Sequence, residues 1–119
     1  MQAEGAPAVY HSWRAKQLLT TPESGTFAEG LATRVAFELP LRILNRLVDD
    51  IILVGDDELR AAIVFLLEHA HQLAEAAGAA PVAAARKLGA AIAGRNVVLI
   101  VSGGNITLDG LRDVLQRLS

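Results

Sequence analysis

Two kinds of hydrophobic pattern alternate along the chain: short continuous apolar runs, and longer segments whose apolar residues have helical spacing. The continuous runs are DIILV, residues 50–54, and VVLIV, residues 97–101. Each is bounded by polar residues and followed closely by glycine. Runs of this length and composition are typical of strands buried on both faces, so we predict a strand at each. The long helical connection between them predicts that the two strands are parallel.

Helical spacing predicts five helices around these strands, in the order helix, helix, strand, helix, helix, strand, helix. The first two cover residues 7–19 and 38–48. The third begins with Asp56 as its N-cap and continues its apolar face to Ala74, and the fourth covers residues 79–93 after a break at Gly78. Thr107 is the predicted N-cap of the last helix.

The pattern therefore predicts a single α/β domain over residues 1–119, with parallel strands and helices on both faces. Two strands are few for this much helix, because sheets usually have four to six. Residues 2–4 resemble the end of a further strand. These features favour an incomplete part of a larger domain.

Composition excludes several classes of protein. An apolar fraction of 52% argues against disorder, and a net charge of −2 without a basic stripe argues against a nucleic-acid partner. No apolar run approaches the length of a membrane span, and the first ten residues lack the pattern of a signal peptide. The absence of cysteine excludes disulfides and thiolate metal sites. We therefore expect a cytoplasmic protein.

A small polar segment, SGGN at residues 102–105, follows the second predicted strand. Ligands of parallel sheets bind at the carboxyl ends of the strands, and glycines there let the backbone approach a ligand closely. The segment matches neither the Walker phosphate loop nor the G-x-G-x-x-G pattern. From these residues alone, a ligand site and an ordinary strand-to-helix turn remain equally open.

Four segments together resemble, in order and spacing, the C-terminal part of the threonine dehydratase and serine racemase family. That family consists of fold-type II enzymes that depend on pyridoxal phosphate (PLP). The resemblance extends from about Ala3 to Asp109 and implies an incomplete part of the large domain of such an enzyme. The segments are GTFAEGLATR (25–34), ILNRLVDDIILVGDDEL (43–59), EAAGAAPVAA (75–84) and VVLIVSGGN (97–105).

The resemblance also implies cofactor-binding residues. Ser102 matches the serine that forms a hydrogen bond with the pyridine nitrogen of PLP. A hydroxyl does not hold that nitrogen protonated as a carboxylate would, and the weaker electron sink suits β-elimination. Gly103 and Gly104 would keep Cβ atoms away from the ring, Gly30 matches a backbone position beside it, and Glu75 matches an acidic residue near the active site. For Gly30 an ordinary turn, and for Glu75 a solvated charge, remain open.

The catalytic lysine of the family belongs to its N-terminal half, as do the phosphate cup and the loop that binds the substrate carboxylate. Lys16 and Lys87 are the only lysines of this chain, and both lie in predicted helices, where we expect surface charges. The resemblance implies a parent lyase that eliminates water and ammonia from a β-hydroxy amino acid to give an oxo acid. We expect no catalytic residue in this chain, no activity of the chain alone and no stable PLP binding.

We expect no metal site either. Some relatives bind a cation near the position of Glu4, but no second acid follows before Glu23. His69 and His71 are two residues apart and fall on different faces of a helix.

Two other functions remain open besides a piece of a lyase. A sheet with an uncovered edge and an apolar face invites self-association, which predicts a homo-oligomer acting as a binding module. Alternatively, the chain is a complementing subunit whose partner, the missing N-terminal half, carries the lysine.

Overall fold

Two short parallel strands form the sheet of the computed structural model, which describes residues 1–118. Strand β1, Gln2–Ala3, pairs with β2, Leu53–Val54, so that Ala3 lies opposite Val54. The Glu4 N–H donates to the Val54 carbonyl at 2.9 Å. Ala3 and Val54 are fully buried, as expected for parallel strands covered by helices. The strand predicted at residues 2–4 and the end of the one predicted at 50–54 are therefore confirmed.

All five predicted helices are present in this α/β fold. They are α1 (Ala8–Ala15), α2 (Glu38–Leu47), α3 (Asp56–Phe65), α4 (Ala76–Leu88) and α5 (Leu108–Arg117). Thr107 caps α5 as predicted, because its hydroxyl oxygen accepts the Gly110 N–H at 3.0 Å. Among residues 1–118, no helix is long and apolar enough to cross a membrane.

The core lies where α3 and α4 pack on each other and on β2. Helix α4 contributes mainly alanines to this interface, which lets the two helix backbones come close together. Val114 of α5 is also buried in this cluster. The other buried residues of α3 and α4 in the cluster are Leu59, Ala62, Ile63, Ala76, Ala79, Ala80, Val82, Ala83 and Ala84.

The prediction of a second strand at residues 97–101 is wrong. The segment forms no strand and pairs with no other segment of the described chain, so the parallel partner of β2 is β1 rather than a strand at residues 97–101. Val98 is 88% exposed and Ile100 is 72% exposed. An apolar run becomes a strand only beside a neighbour that accepts its hydrogen bonds, and this run has none within residues 1–118.

The predicted break at Gly78 is also wrong, because Gly78 lies inside α4 and is buried there. Close packing against Gly103, described below, accounts for glycine at this position. Helix α3 likewise ends earlier than its apolar pattern predicts: a π-helical turn, Leu66–Ala70, follows it. His71 then has a left-handed backbone (φ 54°), which reverses the chain before Ala74.

Asp56 is the first residue of α3 rather than its N-cap, which is Gly55. The free N–H of Gly55 donates instead to Oε2 of Glu58, at 2.8 Å. The Asp56 carboxylate makes its contacts outside the helix, with Thr26 and Phe27.

Lys87 joins the ends of the two strands through two ion pairs. Its Nζ lies 2.9 Å from Oε1 of Glu4, which follows β1, and 3.0 Å from Oε2 of Glu58 in the first turn of α3. The hydrogen bonds to Glu4 and Glu58 raise the pKa of Lys87. Burial alone would raise the pKa of Glu58, but the Gly55 N–H and the Lys87 ammonium outweigh it and lower that pKa.

Replacing Lys87 with methionine should lower the free energy of unfolding near neutral pH by about 0.5–1 kcal/mol, since the pairs are partly screened by solvent. Glu58 has a lowered pKa, so its contribution to the free energy of unfolding is lost as pH falls through that lowered value. Lys87 has a raised pKa, so its contribution to the free energy of unfolding is lost as pH rises through that raised value. Urea unfolding across this range should show the difference from the wild type shrinking at both ends.

The matched control is Lys16→Met, because Lys16 contacts the Asn45 amide and the Trp13 ring and forms no ion pair within residues 1–118. The difference in unfolding free energy between Lys16→Met and the wild type should stay constant as pH falls into the acid range. A Lys87→Met effect that is equally large in strong acid would contradict the ion-pair account.

Candidate functional site

The loop of residues 102–105 lies across the first turn of α4. The N–H of Glu75, the N-cap of α4, donates to the Gly103 carbonyl at 3.0 Å. A Cβ built on Gly78 would overlap the Gly103 peptide, lying 2.8 Å from its nitrogen and 3.1 Å from its carbonyl carbon. The approach of the loop to α4 therefore requires glycine at position 78.

Gly103 and Gly104 are also constrained by contacts within the chain. A Cβ on Gly103 would overlap the carboxylate of Glu75, and one on Gly104 would lie 2.9 Å from the Leu73 carbonyl oxygen. Each distance is shorter than real Cβ atoms show. The Leu73 backbone thus accounts for glycine at position 104, whereas the Glu75 carboxylate ends a flexible side chain and can turn away from a Cβ at position 103.

Gly30 lies in a 3₁₀ turn, Glu29–Leu31, that packs on the same end of α4. A Cβ on Gly30 would lie 2.8 Å from the Cβ of Ala77. The turn and the first turn of α4 therefore also come closer than two alanines would permit.

Asp56 fixes the segment that leads into this turn. Its Oδ1 accepts the Thr26 hydroxyl at 2.5 Å, and its Oδ2 accepts the Phe27 N–H at 3.2 Å. The Thr26 hydroxyl oxygen in turn accepts the Ala28 N–H at 3.1 Å. The first residue of α3 thereby holds the segment that carries Gly30.

A cleft of about 160 Å³ lies between the 3₁₀ turn, the start of α4 and the residues that follow the SGGN loop. Its wall combines small residues with two carboxylates and an amide. The free N–H groups at the start of α4 add positive potential on this side. Lining residues include Phe27, Glu29, Gly30, Glu75, Ala77 and Asn105.

The structure brings four of the five predicted site residues together. Gly30 and Glu75 line the cleft, and Gly103 and Gly104 pack behind it against Glu75 and Leu73. Ser102 precedes them on the exposed side of the loop, and its hydroxyl forms no hydrogen bond within residues 1–118.

Two residues of this region, Gly78 and Asp56, are not among the predicted site residues, and Asn105 is predicted only as the last residue of the SGGN segment. Gly78 was interpreted as a helix break and Asp56 as a cap. A glycine among alanines in a helix is itself a signal of close packing, and this signal could have identified Gly78.

The two lysines are engaged away from the cleft. Lys87 pairs with Glu4 and Glu58, and Lys16 donates to Oδ1 of Asn45 at 3.3 Å. Neither lines the cleft. Within residues 1–118 there is no group of three or more histidine or acidic side chains that could hold a metal ion. Glu4, the candidate cation ligand, pairs with the Lys87 ammonium instead.

Replacing Asp56 with alanine should release the segment before Gly30, because two donors lose a charged acceptor. We expect the free energy of unfolding to fall by about 1–3 kcal/mol and the Phe27 amide to exchange faster with solvent. Asp57→Ala is the control, since Asp57 lies in the same turn and forms its ion pair, with Arg60, through a carboxylate that is exposed at the surface. That control should stay within about 0.5 kcal/mol of the wild type. Equal effects of the two variants would contradict the anchoring role of Asp56.

Comparisons with known proteins agree with this geometry. A family model described as pyridoxal-phosphate dependent enzyme matches residues 1–103. The L-threonine ammonia-lyase of Thermotoga maritima is 32% identical over 118 residues, which are 98% of this chain and 29% of that enzyme.

Two solved structures superimpose closely on the chain. Threonine deaminase isoform 2 from Solanum lycopersicum has a TM-score of 0.87 and 28% identity, over 96% of this chain and 34% of that one. Maize serine racemase has a TM-score of 0.81 and 28% identity, over 99% of this chain and 38% of that one. The chain thus spans about a third of the length of these relatives. It belongs to the pyridoxal-phosphate-dependent enzyme family, and its sequence and fold match the fold-type II threonine dehydratases and serine racemases.

Proposed function

We propose that the chain, as one α/β half-domain over residues 1–119, forms the pyridine-ring wall of a PLP site in a threonine or serine dehydratase-like lyase. The parent reaction eliminates water and ammonia from a β-hydroxy amino acid and leaves an oxo acid. The observation that carries the proposal is the contact between Gly103 and the first turn of α4, because it groups Ser102, Gly103, Gly104, Glu75 and Gly30 at one end of that helix.

The residues present fit one side of a flat aromatic ring. Gly30 lines the cleft without a Cβ, and Gly103 and Gly104 add no side chain to the loop that packs behind it. The exposed Ser102 hydroxyl has no partner within residues 1–118 and is free to donate to a ring nitrogen. PLP, when bound, supplies the electron sink for cleavage of bonds at the α-carbon of an amino acid.

Each residue then has a distinct role in this wall. Ser102 donates a hydrogen bond to the pyridine nitrogen and, because a hydroxyl is a very weak acid, leaves that nitrogen unprotonated. The Glu75 N–H holds the Gly103 carbonyl and so fixes the loop. Gly30 places backbone beside the ring.

No lysine among residues 1–118 lines the cleft to bind the cofactor covalently or to remove the α-proton. Lys16 and Lys87 both contact other side chains away from the cleft. We therefore propose that activity requires a second polypeptide segment that carries the lysine. The relatives are long enough to include such a segment, since this chain spans only about a third of their length.

A second candidate function, a self-associating module without catalysis, is favoured by one observation. Residues 97–101 expose consecutive branched side chains and an unpaired backbone edge, which are features of strands that pair between molecules. Light scattering at micromolar concentration distinguishes the candidates: a monomer contradicts self-association, whereas a stable dimer of the isolated chain supports it.

Incubation of the purified chain with PLP and L-threonine should give no steady oxo-acid production above the background of free PLP. Addition of the part of the Thermotoga maritima enzyme that this chain does not cover should produce activity. In that mixture, Ser102→Ala should lower the rate at least about tenfold, as is typical for loss of a polar contact to a reacting group.

The control for this mixture is Ser24→Ala, a serine in the loop before Gly25 that does not line the cleft. It should retain the full rate. Steady turnover by the chain alone would contradict the need for a partner, and full activity of Ser102→Ala would contradict the role of Ser102.

A further inference from the structure

Gly78 is the feature of α4 that helix formation does not explain. It occupies the third position of the helix, among Ala76, Ala77, Ala79 and Ala80. Alanine is the best helix former and glycine one of the poorest, so glycine here lowers the stability of the helix. A contact outside the helix must therefore account for it.

We propose that Gly78 is a positioning residue for the cofactor site, acting through Gly103 on Ser102. The absence of a Cβ at position 78 lets the Gly103 peptide lie directly on the first turn of α4. The Glu75 N–H can then reach the Gly103 carbonyl and fix the direction in which Ser102 leaves the loop. The inference rests on the proposed function, because the orientation of Ser102 matters only if it faces the cofactor.

The contact is between backbones and cannot be relieved by rotating a side chain. A Cβ on Gly78 would meet the oxygen, nitrogen and carbon of Gly103, all within 3.1 Å. The neighbouring Ala79 and Ala80 are buried and belong to the hydrophobic core cluster. Position 78 is therefore where a methyl group would push the loop away from α4.

Other contacts also hold the loop on the side that follows Gly103. A displacement of Gly103 would therefore move Ser102, the residue before it. The Glu75 carboxylate covers the side of Gly103 where its Cβ would be, and the Leu73 carbonyl approaches Gly104. The Gly104 carbonyl accepts the Ile106 N–H at 2.9 Å. Ser102 has no side-chain hydrogen bond of its own within residues 1–118, so the Gly103 backbone sets its position.

The test uses amide hydrogen exchange and ¹⁵N NMR of the labelled full chain, mixed with the part of the Thermotoga maritima enzyme that it does not cover, with pyridoxine 5′-phosphate as the probe. This analogue keeps the pyridine nitrogen and the phosphate but lacks the aldehyde that reacts with lysines. Gly78→Ala should speed exchange of the Glu75 amide about tenfold, the change expected for loss of one hydrogen bond. Amides later in α4 should keep their protection, because alanine favours the helix. The probe-induced shift at Ser102 should disappear.

The matched control is Gly25→Ala, since a Cβ on Gly25 meets no atom within 4 Å. It should leave the Glu75 exchange and the Ser102 shift as in the wild type. A second variant, Glu75→Pro, removes the N–H donor without adding an atom at position 78, and the Glu75 backbone (φ −75°) accommodates proline. It too should abolish the Ser102 shift, which keeps the proposal testable if Gly78→Ala does not fold.

Unchanged Glu75 exchange in Gly78→Ala overturns the inference. So does faster exchange combined with a retained Ser102 shift, since the loop would then move without moving the site. If the wild type shows no probe-induced shift at Ser102, the proposed function itself fails, while the exchange of Glu75 still tests the contact at Gly78.

Discussion

The hydrogen bond from the Glu75 N–H to the Gly103 carbonyl is the contact on which the candidate site depends. It joins the start of α4 to a loop that is otherwise exposed, and it forms only because position 78 lacks a Cβ. A buried amide that found no acceptor would be costly, so the helix start and the loop stabilise each other. Moving either one would also move Ser102, which precedes Gly103 in the loop.

The rest of the fold supports this contact from two sides. Asp56 fixes the segment before Gly30, and the close approach of Gly30 to Ala77 brings that segment onto α4. Lys87, near the other end of α4, joins the helix to the ends of both strands. The small residues of α4 thus allow three elements to pack closely on this helix: α3, the 3₁₀ turn and the SGGN loop.

Periodicity predicted the five helices and the first strands well, because each has a face that is buried within the chain. It failed at residues 97–101, since the apolar run meets no hydrogen-bonding neighbour within residues 1–118, and sequence does not reveal whether a neighbour is present. It failed at Gly78 because the cause is a contact with Gly103, 25 positions away, rather than local propensity. The grouping of Gly30, Glu75, Gly103 and Gly104 followed from the family resemblance, not from spacing.

In the proposed enzyme, this chain forms one wall of the PLP site and another polypeptide segment carries the lysine. The role of Ser102 is central to this proposal, and the protonation state of the pyridine nitrogen tests it most directly. Pyridoxine 5′-phosphate labelled with ¹⁵N in the ring should, when bound to the chain mixed with the part of the Thermotoga maritima enzyme that it does not cover, show the chemical shift of an unprotonated, hydrogen-bonded nitrogen. That shift should move toward the value of the free, unprotonated base in Ser102→Ala. A protonated nitrogen, or the same shift in both proteins, would contradict the account.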